Sequence, residues 1–269
     1  MSAGTVVLVG CGQMGAAMLR GWLASAAARH FEVIEPAGAP VALAASPRVS
    51  AHSSPDELTG DFAVDAVVFA VKPQVINDVV PAYRRFVRPQ TVFLSIAAGK
   101  TIAGLARHLG DAAIVRAMPN TPAAISRAIS VACANPRVSP AQRLLCEGLL
   151  AAIGESTWVE DETLMDAVTA VSGSGPAYVF LLIETLAAAG EKAGLPADLA
   201  LRLAKATVAG SGELARSSVD TPTKLREAVM SPGGTTVAAL NVLMGDKGLA
   251  ELMEQAIAAA ARRSHELAS

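Results

Sequence analysis

The first 160 residues alternate short apolar runs with segments of helical length, and this alternation restricts the possible folds more than any other feature. The predicted strands are residues 5–10, 31–35, 66–71, 91–96, 112–117 and 128–132, and the predicted helices are residues 13–28, 74–83, 102–109 and 141–152. The predicted strands are nearly continuous apolar runs and do not alternate with polar residues, as expected when helices cover both faces of a sheet. Residues 1–160 are therefore predicted to form an α/β domain with a doubly wound, mostly parallel sheet.

The pattern changes after residue 160, where the strand signals stop. Segments rich in Ala and Leu follow one another, and the predicted helices are residues 163–172, 177–193, 196–216, 221–229, 235–244 and 247–267. Residues 161–269 are therefore predicted to form an all-helical domain. The segment 197–218 is apolar around most of its circumference, which is typical of a buried helix. A domain of this size has too little interior for several such helices, so we expect part of their surface to contact another subunit.

Charge and cysteine content exclude several classes of partner. The formal net charge is −2, and Lys and Arg never form runs longer than two, so neither nucleic acid nor an anionic membrane is expected as a partner. Uncharged stretches at 5–19 and 167–183 are broken by glycines and fall short of the roughly 20 apolar residues of a membrane span. The three cysteines share no metal or disulfide spacing, and no signal peptide is apparent. These features favour a cytoplasmic protein with reduced thiols and no metal site.

A glycine motif lies between the first predicted strand and the first predicted helix. The run Val6-Val7-Leu8-Val9 leads into Gly10-x-Gly12-x-x-Gly15, a spacing typical of a loop that binds the pyrophosphate of a dinucleotide. Gly10 permits a tight turn, Gly12 lets a phosphate approach the backbone, and Gly15 lets the helix pack close to the strand. The cofactor-binding residues predicted here are Val9, Gly10, Cys11, Gly12, Gln13, Met14 and Gly15.

Glu35 ends the second predicted strand, 20 residues beyond Gly15. At this position an acidic side chain bonds the adenosine ribose hydroxyls of NAD and repels the 2′-phosphate of NADP. No Arg follows it directly, so Glu35 favours NADH over NADPH. The alternative interpretation is a solvated glutamate that precedes a turn at Pro36.

Three further segments follow predicted strands and should meet at the carboxyl edge of the sheet, where ligands bind in open α/β folds. Two of them supply the other predicted cofactor-binding residues, which are Ala70, Val71, Lys72, Pro73, Ala97, Ala98 and Gly99. Lys72 is expected either to contact a cofactor phosphate or to cap a strand end. Asn120, in the third segment, is expected to hold its loop by side-chain bonds to the backbone near the nicotinamide, and is counted with the substrate-binding residues.

A second loop with little side-chain bulk lies in the helical region. Ser231-Pro232-Gly233-Gly234-Thr235-Thr236 enters a predicted helix. Unshielded N–H groups at a helix N-terminus bind an anion without needing a basic side chain. The loop is therefore a candidate site for an anionic group of a substrate. The alternative interpretation is an ordinary Pro-Gly turn capped by a threonine.

The segments 116–122, 172–178 and 225–236 occur in the order found in Δ1-pyrroline-5-carboxylate reductases, and the chain resembles that family over essentially its whole length. The resemblance implies reduction of 1-pyrroline-5-carboxylate to L-proline with NADPH or NADH. It also implies an N-terminal Rossmann domain and a helical domain that interlocks with a second subunit, giving homodimers that often assemble into decamers (pentamers of dimers). Many relatives carry a small or hydroxylated residue in place of Glu35 and prefer NADPH, so the cofactor preference stays open.

The resemblance suggests how the substrate is held. The substrate carboxylate is assigned to the backbone N–H groups of Gly233, Gly234, Thr235 and Thr236, with help from the Ser231 hydroxyl. Thr236, whose hydroxyl would contact the ring nitrogen, is the candidate catalytic residue. A protonated cyclic imine is already electrophilic at carbon, so catalysis needs mainly positioning.

The sequence argues against an alcohol dehydrogenase and leaves two rival functions open, a β-hydroxyacid dehydrogenase and a non-catalytic dinucleotide sensor. The four histidines, His30, His52, His108 and His265, lie outside the motifs without evident acidic partners, whereas an alcohol dehydrogenase needs an acid or a metal. A β-hydroxyacid dehydrogenase would also need a lysine early in the helix after 172–176, where the first lysine is Lys192. A non-catalytic dinucleotide sensor would not need the 231–236 loop.

Overall fold

The computed structural model describes residues 3–59 and 62–267, and its first part is built on one sheet. The strands are β1 Ala3–Val9, β2 Ala28–Ile34, β3 Val49–His52, β4 Ala66–Phe69, β5 Val92–Ser95, β6 Ala113–Met118, β7 Ala128–Ala134 and β8 Gly154–Trp158. Their spatial order is β3-β2-β1-β4-β5-β6-β7-β8. All pairs are parallel except β6 with β7. The prediction of a doubly wound, mostly parallel sheet is confirmed.

The two strands absent from the sequence prediction, β3 and β8, are the edge strands of the sheet. An edge strand pairs on one side only and is less covered, so it needs no long apolar run. In β3 only Val49 is buried, and no residue of β8 is. Their sequences, VSAH and GESTW, therefore lack the signal that identified the central strands.

Alternate residues of the central strands face two separate core layers. Val6 and Leu8 face one layer, in which Trp22 stacks on Phe31 at 5.7 Å between ring centroids. Val7 faces the opposite layer, which also contains Phe69 and Tyr83. Because both faces are buried, β1 is apolar at every central position, as the parallel-sheet pattern requires.

Helices cover the sheet and continue to the end of the described chain. They are α1 Gln13–Ser25, α2 Val41–Ala44, α3 Ile76–Val79, α4 Ile102–Leu109, α5 Pro140–Ala151, α6 Met165–Val168, α7 Gly175–Lys192, α8 Ala197–Ser217, α9 Pro222–Ala228, α10 Thr235–Leu243 and α11 Leu249–Glu266. Between residues 161 and 267 the regular elements are all helical, as predicted.

Two predicted helices are shorter or more irregular than expected. The predicted helix 74–83 is α3 followed by the 3₁₀ segment Val80–Phe86, because Pro81 has no N–H for an α-helical bond and its ring clashes with the preceding turn. The predicted helix 163–172 consists of the 3₁₀ turn Glu162–Leu164, α6 and the π-helical turn Thr169–Gly173. π-Helical turns often occur at functional sites.

The chain divides into two compact units. The first comprises Met1–Ser174 and Ala260–Ser269, and the second comprises Gly175–Ala259. The predicted boundary lay between residues 160 and 161, and the compact first unit extends further because residues 162–174 contact the sheet. Helix α11 begins in the second unit and ends in the first.

The second unit has a small interior. Its buried apolar side chains, among the described residues, are Ala187 on α7 and Ala200 and Ala204 on α8, two helices that pack together. Larger side chains are exposed, including Phe180 and Leu181 on α7 and Leu214 on α8. An apolar surface of this kind indicates an interface with another molecule.

Candidate active site

The glycine loop has the backbone geometry that its sequence predicts. Gly10 has φ +91°, and a Cβ there would lie 2.8 Å from the carbonyl oxygen of Ala70. A Cβ at Gly15 would overlap the carbonyl oxygen of Gly10, so α1 packs against the loop only because this residue is glycine. Both positions therefore need glycine for packing inside the protein.

Gly12 needs glycine for a different reason. It is exposed, and a Cβ placed there would meet no protein atom within 4 Å. Gly12 is also the residue before α1, whose first turn carries no acidic side chain. Free N–H groups and the helix dipole attract a phosphate at such a terminus. The loop therefore fits the pyrophosphate of a dinucleotide that approaches from solvent.

The Glu35 carboxylate reaches back to the glycine loop. Its Oε2 accepts a hydrogen bond of 2.7 Å from the Cys11 N–H, and its Oε1 accepts one of 3.2 Å from the Ala37 N–H. The alternative of a purely solvated glutamate before a turn is therefore wrong. Glu35 fixes the spacing between the glycine loop and the end of β2.

A cleft of about 600 Å³ opens between the ends of β1, β2 and β4. Its lining contains seven of the cofactor-binding residues predicted from sequence, namely Val9, Gly10, Gly12, Glu35, Ala70, Val71 and Lys72. The other lining residues include Pro36, Pro55, Val75, Val79, Ala82 and Tyr83, which sequence patterns did not indicate because they are ordinary loop and helix positions. A mostly apolar cleft beside a phosphate loop suits a purine base and its ribose.

The ends of β5 and β6 form the other side of the carboxyl edge. Ala97 and Gly99 are buried after β5, with Gly99 at φ +74°. Asn120 Oδ1 accepts the Ile129 N–H at 3.0 Å, and Asn120 Nδ2 donates to the carbonyl oxygen of Ser172 at 3.3 Å. The expectation that Asn120 holds its loop through backbone bonds is confirmed.

An ionic cluster around a buried arginine, beside these strand ends, was not predicted. The Arg116 side chain is 5% exposed, and its Nη1 lies 3.1 Å from Glu162 Oε1 while its Nη2 lies 3.7 Å from Asp166 Oδ1. Asp166 lies within the segment 163–172 predicted as a helix, and Glu162 directly precedes that segment. Charged residues are rarely buried unless paired, and the pairing here joins residues 46 positions apart.

The 231–236 loop belongs to the second unit and has an open helix terminus. Gly233 has φ +74°, and the Gly234 N–H donates to the Ser231 carbonyl oxygen at 2.9 Å. Gly234 immediately precedes α10, which begins with Thr235 and Thr236. The N–H groups of a first helical turn have no partner within the helix. The N–H groups of Thr235 and Thr236 are therefore open to an anion, whereas that of Gly234 is used within the loop.

The histidines differ from the sequence expectation. His52 Nε2 lies 2.6 Å from Glu32 Oε2, and His265 Nδ1 lies 3.4 Å from Asp166 Oδ2, so histidines do have acidic partners here. Strand pairing created the first contact, because Glu32 and His52 lie on the adjacent strands β2 and β3. Within residues 3–59 and 62–267, no cluster of three or more His, Cys, Asp or Glu side chains is arranged to hold a metal ion.

The three cysteines are free and buried. Burial, with a smaller contribution from the Glu35 carboxylate, raises the pKa of Cys11 to about 11. Burial alone raises the pKa of Cys146 to about 12. A thiol with such a pKa stays protonated near neutral pH and is a poor nucleophile. Cys11 therefore acts as a small packing residue in the loop.

Comparison with known proteins gives two matching family models and full-length relatives. Residues 162–267 match the model described as pyrroline-5-carboxylate reductase dimerisation, and residues 5–99 match that described as NADP oxidoreductase, coenzyme F420-dependent. The chain is 40% identical to the pyrroline-5-carboxylate reductase of Pseudomonas aeruginosa, with 100% of this chain and 98% of the relative covered. The Pisum sativum enzyme is 37% identical, with 98% and 96% covered.

Solved structures agree. The Coxiella burnetii pyrroline-5-carboxylate reductase superposes with a TM-score of 0.89 at 31% identity, covering 100% of both chains. The Plasmodium falciparum pyrroline carboxylate reductase, solved with NADP bound, gives 0.84 at 28% identity, also covering 100% of both. The sheet carries a dinucleotide loop at its carboxyl edge. Together with these matches, that feature defines the protein as a nicotinamide-dependent oxidoreductase. Identity of this extent places the chain in the pyrroline-5-carboxylate reductase family, as the sequence resemblance predicted.

One helical stretch qualifies as a membrane span by length and hydropathy alone. It runs over Glu162–Lys192 within the described residues, and a single such stretch is weak evidence. The dimerisation match covers the whole stretch. Its exposed apolar side chains are therefore explained by subunit contact within a homo-oligomer.

Proposed function

We propose that this chain reduces 1-pyrroline-5-carboxylate to L-proline with a hydride from NADPH or NADH. The observation that carries the proposal is identity of 40% to a named reductase over the full chain. The phosphate loop and the open terminus of α10 support it, because the reaction needs a dinucleotide site and a site for a carboxylate.

The residues at the carboxyl edge fit a dinucleotide. We assign the adenosine to the cleft beside Glu35 and the pyrophosphate to the N–H groups around Gly12. Lys72, exposed after β4, is assigned to a cofactor phosphate. The nicotinamide is assigned to the ends of β5 and β6, beside Ala97, Ala98 and Gly99, because ligands in such folds cross the carboxyl edge. When bound, the reduced nicotinamide supplies the hydride.

The imine is assigned to the 231–236 loop. The N–H groups of Gly233, Thr235 and Thr236 would hold the carboxylate, whereas that of Gly234, also expected there from sequence, is already bonded to the Ser231 carbonyl oxygen. The Thr236 hydroxyl would contact the ring nitrogen. A protonated imine accepts a hydride at its C=N carbon (C2 of the pyrroline ring, which becomes C5 of proline), the C=N π bond breaks, and its electron pair becomes the nitrogen lone pair of the product amine. The protein is left to orient the ring and exclude water, so no histidine or metal is required.

The test is a cofactor-oxidation assay with pyrroline-5-carboxylate, followed at the absorbance band of reduced nicotinamide. We expect turnover by the wild type and a loss of kcat/KM on the order of 100-fold in Thr236→Val, which keeps the side-chain shape but removes the hydroxyl. Thr223→Val, at an exposed position of α9, is the matched control and should match the wild type. Dinucleotide binding without imine turnover would refute the reaction assigned here.

We further propose a preference for NADH over NADPH, based on the carboxylate of Glu35 at the cleft. A 2′-phosphate there would face a like charge, which can cost several kcal/mol before solvent screening. The glutamate is partly exposed, so we expect a preference of about 1–2 kcal/mol.

We also propose a cytoplasmic location and assembly of homodimers into pentamers of dimers. The three reduced, buried cysteines support the first proposal, since disulfides are rare in that compartment. The second rests on the apolar surface of the helical unit and on the family resemblance. Sedimentation of the purified protein distinguishes a dimer from a decamer.

A further inference from the structure

The cluster of buried Arg116 with half-buried Glu162 and Asp166 places one cation between two carboxylates. Their side chains are 5%, 28% and 24% exposed. Removing such groups from water costs free energy that attraction between them only partly offsets, so a buried ionic cluster is weak evidence for stability. The cluster is therefore better explained by the backbone segments that it holds in place than by a contribution to stability.

Glu162 joins two strand ends. Its Oε1 accepts a hydrogen bond of 2.8 Å from the Ile102 N–H and one of 3.1 Å from Arg116. Ile102 begins α4, directly after the loop that contains Ala97–Gly99, whereas Arg116 lies near the end of β6. A single carboxylate oxygen thus fixes the loop after β5 relative to β6.

Asp166 holds the last turn of α11. Its Oδ1 accepts a hydrogen bond of 2.7 Å from the Ser264 hydroxyl, and its Oδ2 lies 3.4 Å from His265 Nδ1. That turn covers Gly99: a Cβ at Gly99 would lie 2.7 Å from Leu267 Cβ and 3.0 Å from the Ser264 carbonyl oxygen. The loop after β5 is therefore packed under the turn that Asp166 holds.

The segment that follows Asp166 also supports Asn120. Ser172 accepts the hydrogen bond from Asn120 Nδ2, and a Cβ at Gly173 would overlap the Met118 side chain. The cluster is thus connected to both strand ends to which the nicotinamide is assigned. The contacts described for the adenosine cleft, at Glu35 and Cys11, involve none of these residues.

We propose that Glu162 and Asp166, held by Arg116, are positioning residues that fix the nicotinamide side of the site through the 97–99 loop, the Asn120 loop and the last turn of α11. This inference rests on the proposed function only for the location of the nicotinamide. Their loss should disturb the placement of the nicotinamide and leave the adenosine site intact.

The experiment compares Asp166→Asn and Ser264→Ala with the control Glu160→Gln, an exposed carboxylate that pairs with Arg143 on the surface. Dissociation constants are measured for NADH, by its fluorescence, and for ADP-ribose, which lacks the nicotinamide. We expect ADP-ribose affinity within about twofold of the wild type, weaker NADH binding, and kcat reduced about 10- to 100-fold in Asp166→Asn. Ser264→Thr, which keeps the hydroxyl, should restore most of the loss seen in Ser264→Ala.

Two results would overturn the proposal. One is an equal loss of affinity for ADP-ribose and NADH, which would indicate general loosening of the domain. The other is unchanged NADH binding and kcat in both folded variants. If Asp166→Asn does not fold, the Ser264 pair decides alone. If the wild type reduces no imine, the proposed function fails, and the comparison of NADH with ADP-ribose still tests the positioning role.

Discussion

At the scale of single residues, Glu35 is placed to serve two partners with one carboxylate. One oxygen accepts the Cys11 N–H of the glycine loop, and the group also lines the cleft assigned to the adenosine ribose. A substitution at this position therefore changes loop geometry and cofactor charge together. Only a pair of variants separates the two effects.

Replacing Glu35 with Gln should reduce the preference for NADH while keeping an acceptor for the glycine loop. We expect the wild type to favour NADH by about 5- to 30-fold in kcat/KM and Glu35→Gln to lose most of that ratio. Glu35→Ser should also lose the ratio, but with weaker binding of both dinucleotides, because the Cys11 N–H loses its partner. Steady-state kinetics with both cofactors measure these effects. A wild type that favours NADPH, or a ratio unchanged in Glu35→Gln, would contradict the assignment.

The glycine loop was predicted from the sequence, whereas the ionic cluster around Arg116 was not. The glycine loop lies within six consecutive residues, so the spacing of Gly10, Gly12 and Gly15 was enough to predict it. The Arg116 cluster joins residues 46 and 98 positions apart along the chain. Neither hydrophobic periodicity nor a short motif can predict such a pairing, because the residues come together only in the folded chain.

At the scale of elements, prediction succeeded where local pattern and burial agree. Helix α4 was predicted with the bounds Ile102–Leu109 that the structure has. In the structure the Thr101 hydroxyl caps this helix by accepting the Gly104 N–H. The edge strands β3 and β8 were missed because partial exposure relaxes the need for apolar residues. The predicted helix 74–83 was too long because Pro81 lies within it.

The loop before α10 needs a glycine at position 233, so a substitution there should impair substrate binding. Gly233 has φ +74°, and a residue with a Cβ costs roughly 1–2 kcal/mol in the left-handed region. Gly233→Ala should therefore distort the loop and raise KM for pyrroline-5-carboxylate about 5- to 30-fold. NADH affinity should stay unchanged, because the cofactor is assigned to the first unit.

The control is Gly148→Ala, at an exposed position of α5 where a Cβ meets no atom within 4 Å. Alanine favours a helix there, so this variant should keep wild-type kinetics. An unchanged KM in Gly233→Ala would remove the 231–236 loop from the substrate site.

At the scale of the whole molecule, the helical unit depends on a partner subunit to cover its apolar side chains. Phe180 on α7 is 56% exposed in the single chain, and the dimerisation match includes it. A buried, unpaired charge at an interface is strongly destabilising. We expect Phe180→Lys to weaken the dimer by at least about 30-fold, as measured by sedimentation over a concentration series.

The control for this prediction is Leu144→Lys on α5, which is 65% exposed in the first unit. Because α5 lies outside the dimerisation match, this variant should sediment like the wild type. A Phe180→Lys protein that remains as tightly associated as the wild type would exclude this face of α7 from the interface.

The course of helix α11 has a consequence for how the protein is made on the ribosome. The eight strands of the described sheet lie before residue 160, so the nascent chain can assemble the sheet early, as domains generally do during synthesis. The 97–99 loop nevertheless lacks its cover until Ser264 and Leu267 have been translated. Until then the nascent chain carries a sheet in which the loop assigned to the nicotinamide is uncovered. Competence to bind the whole cofactor should therefore arrive only after the helical unit has been synthesised.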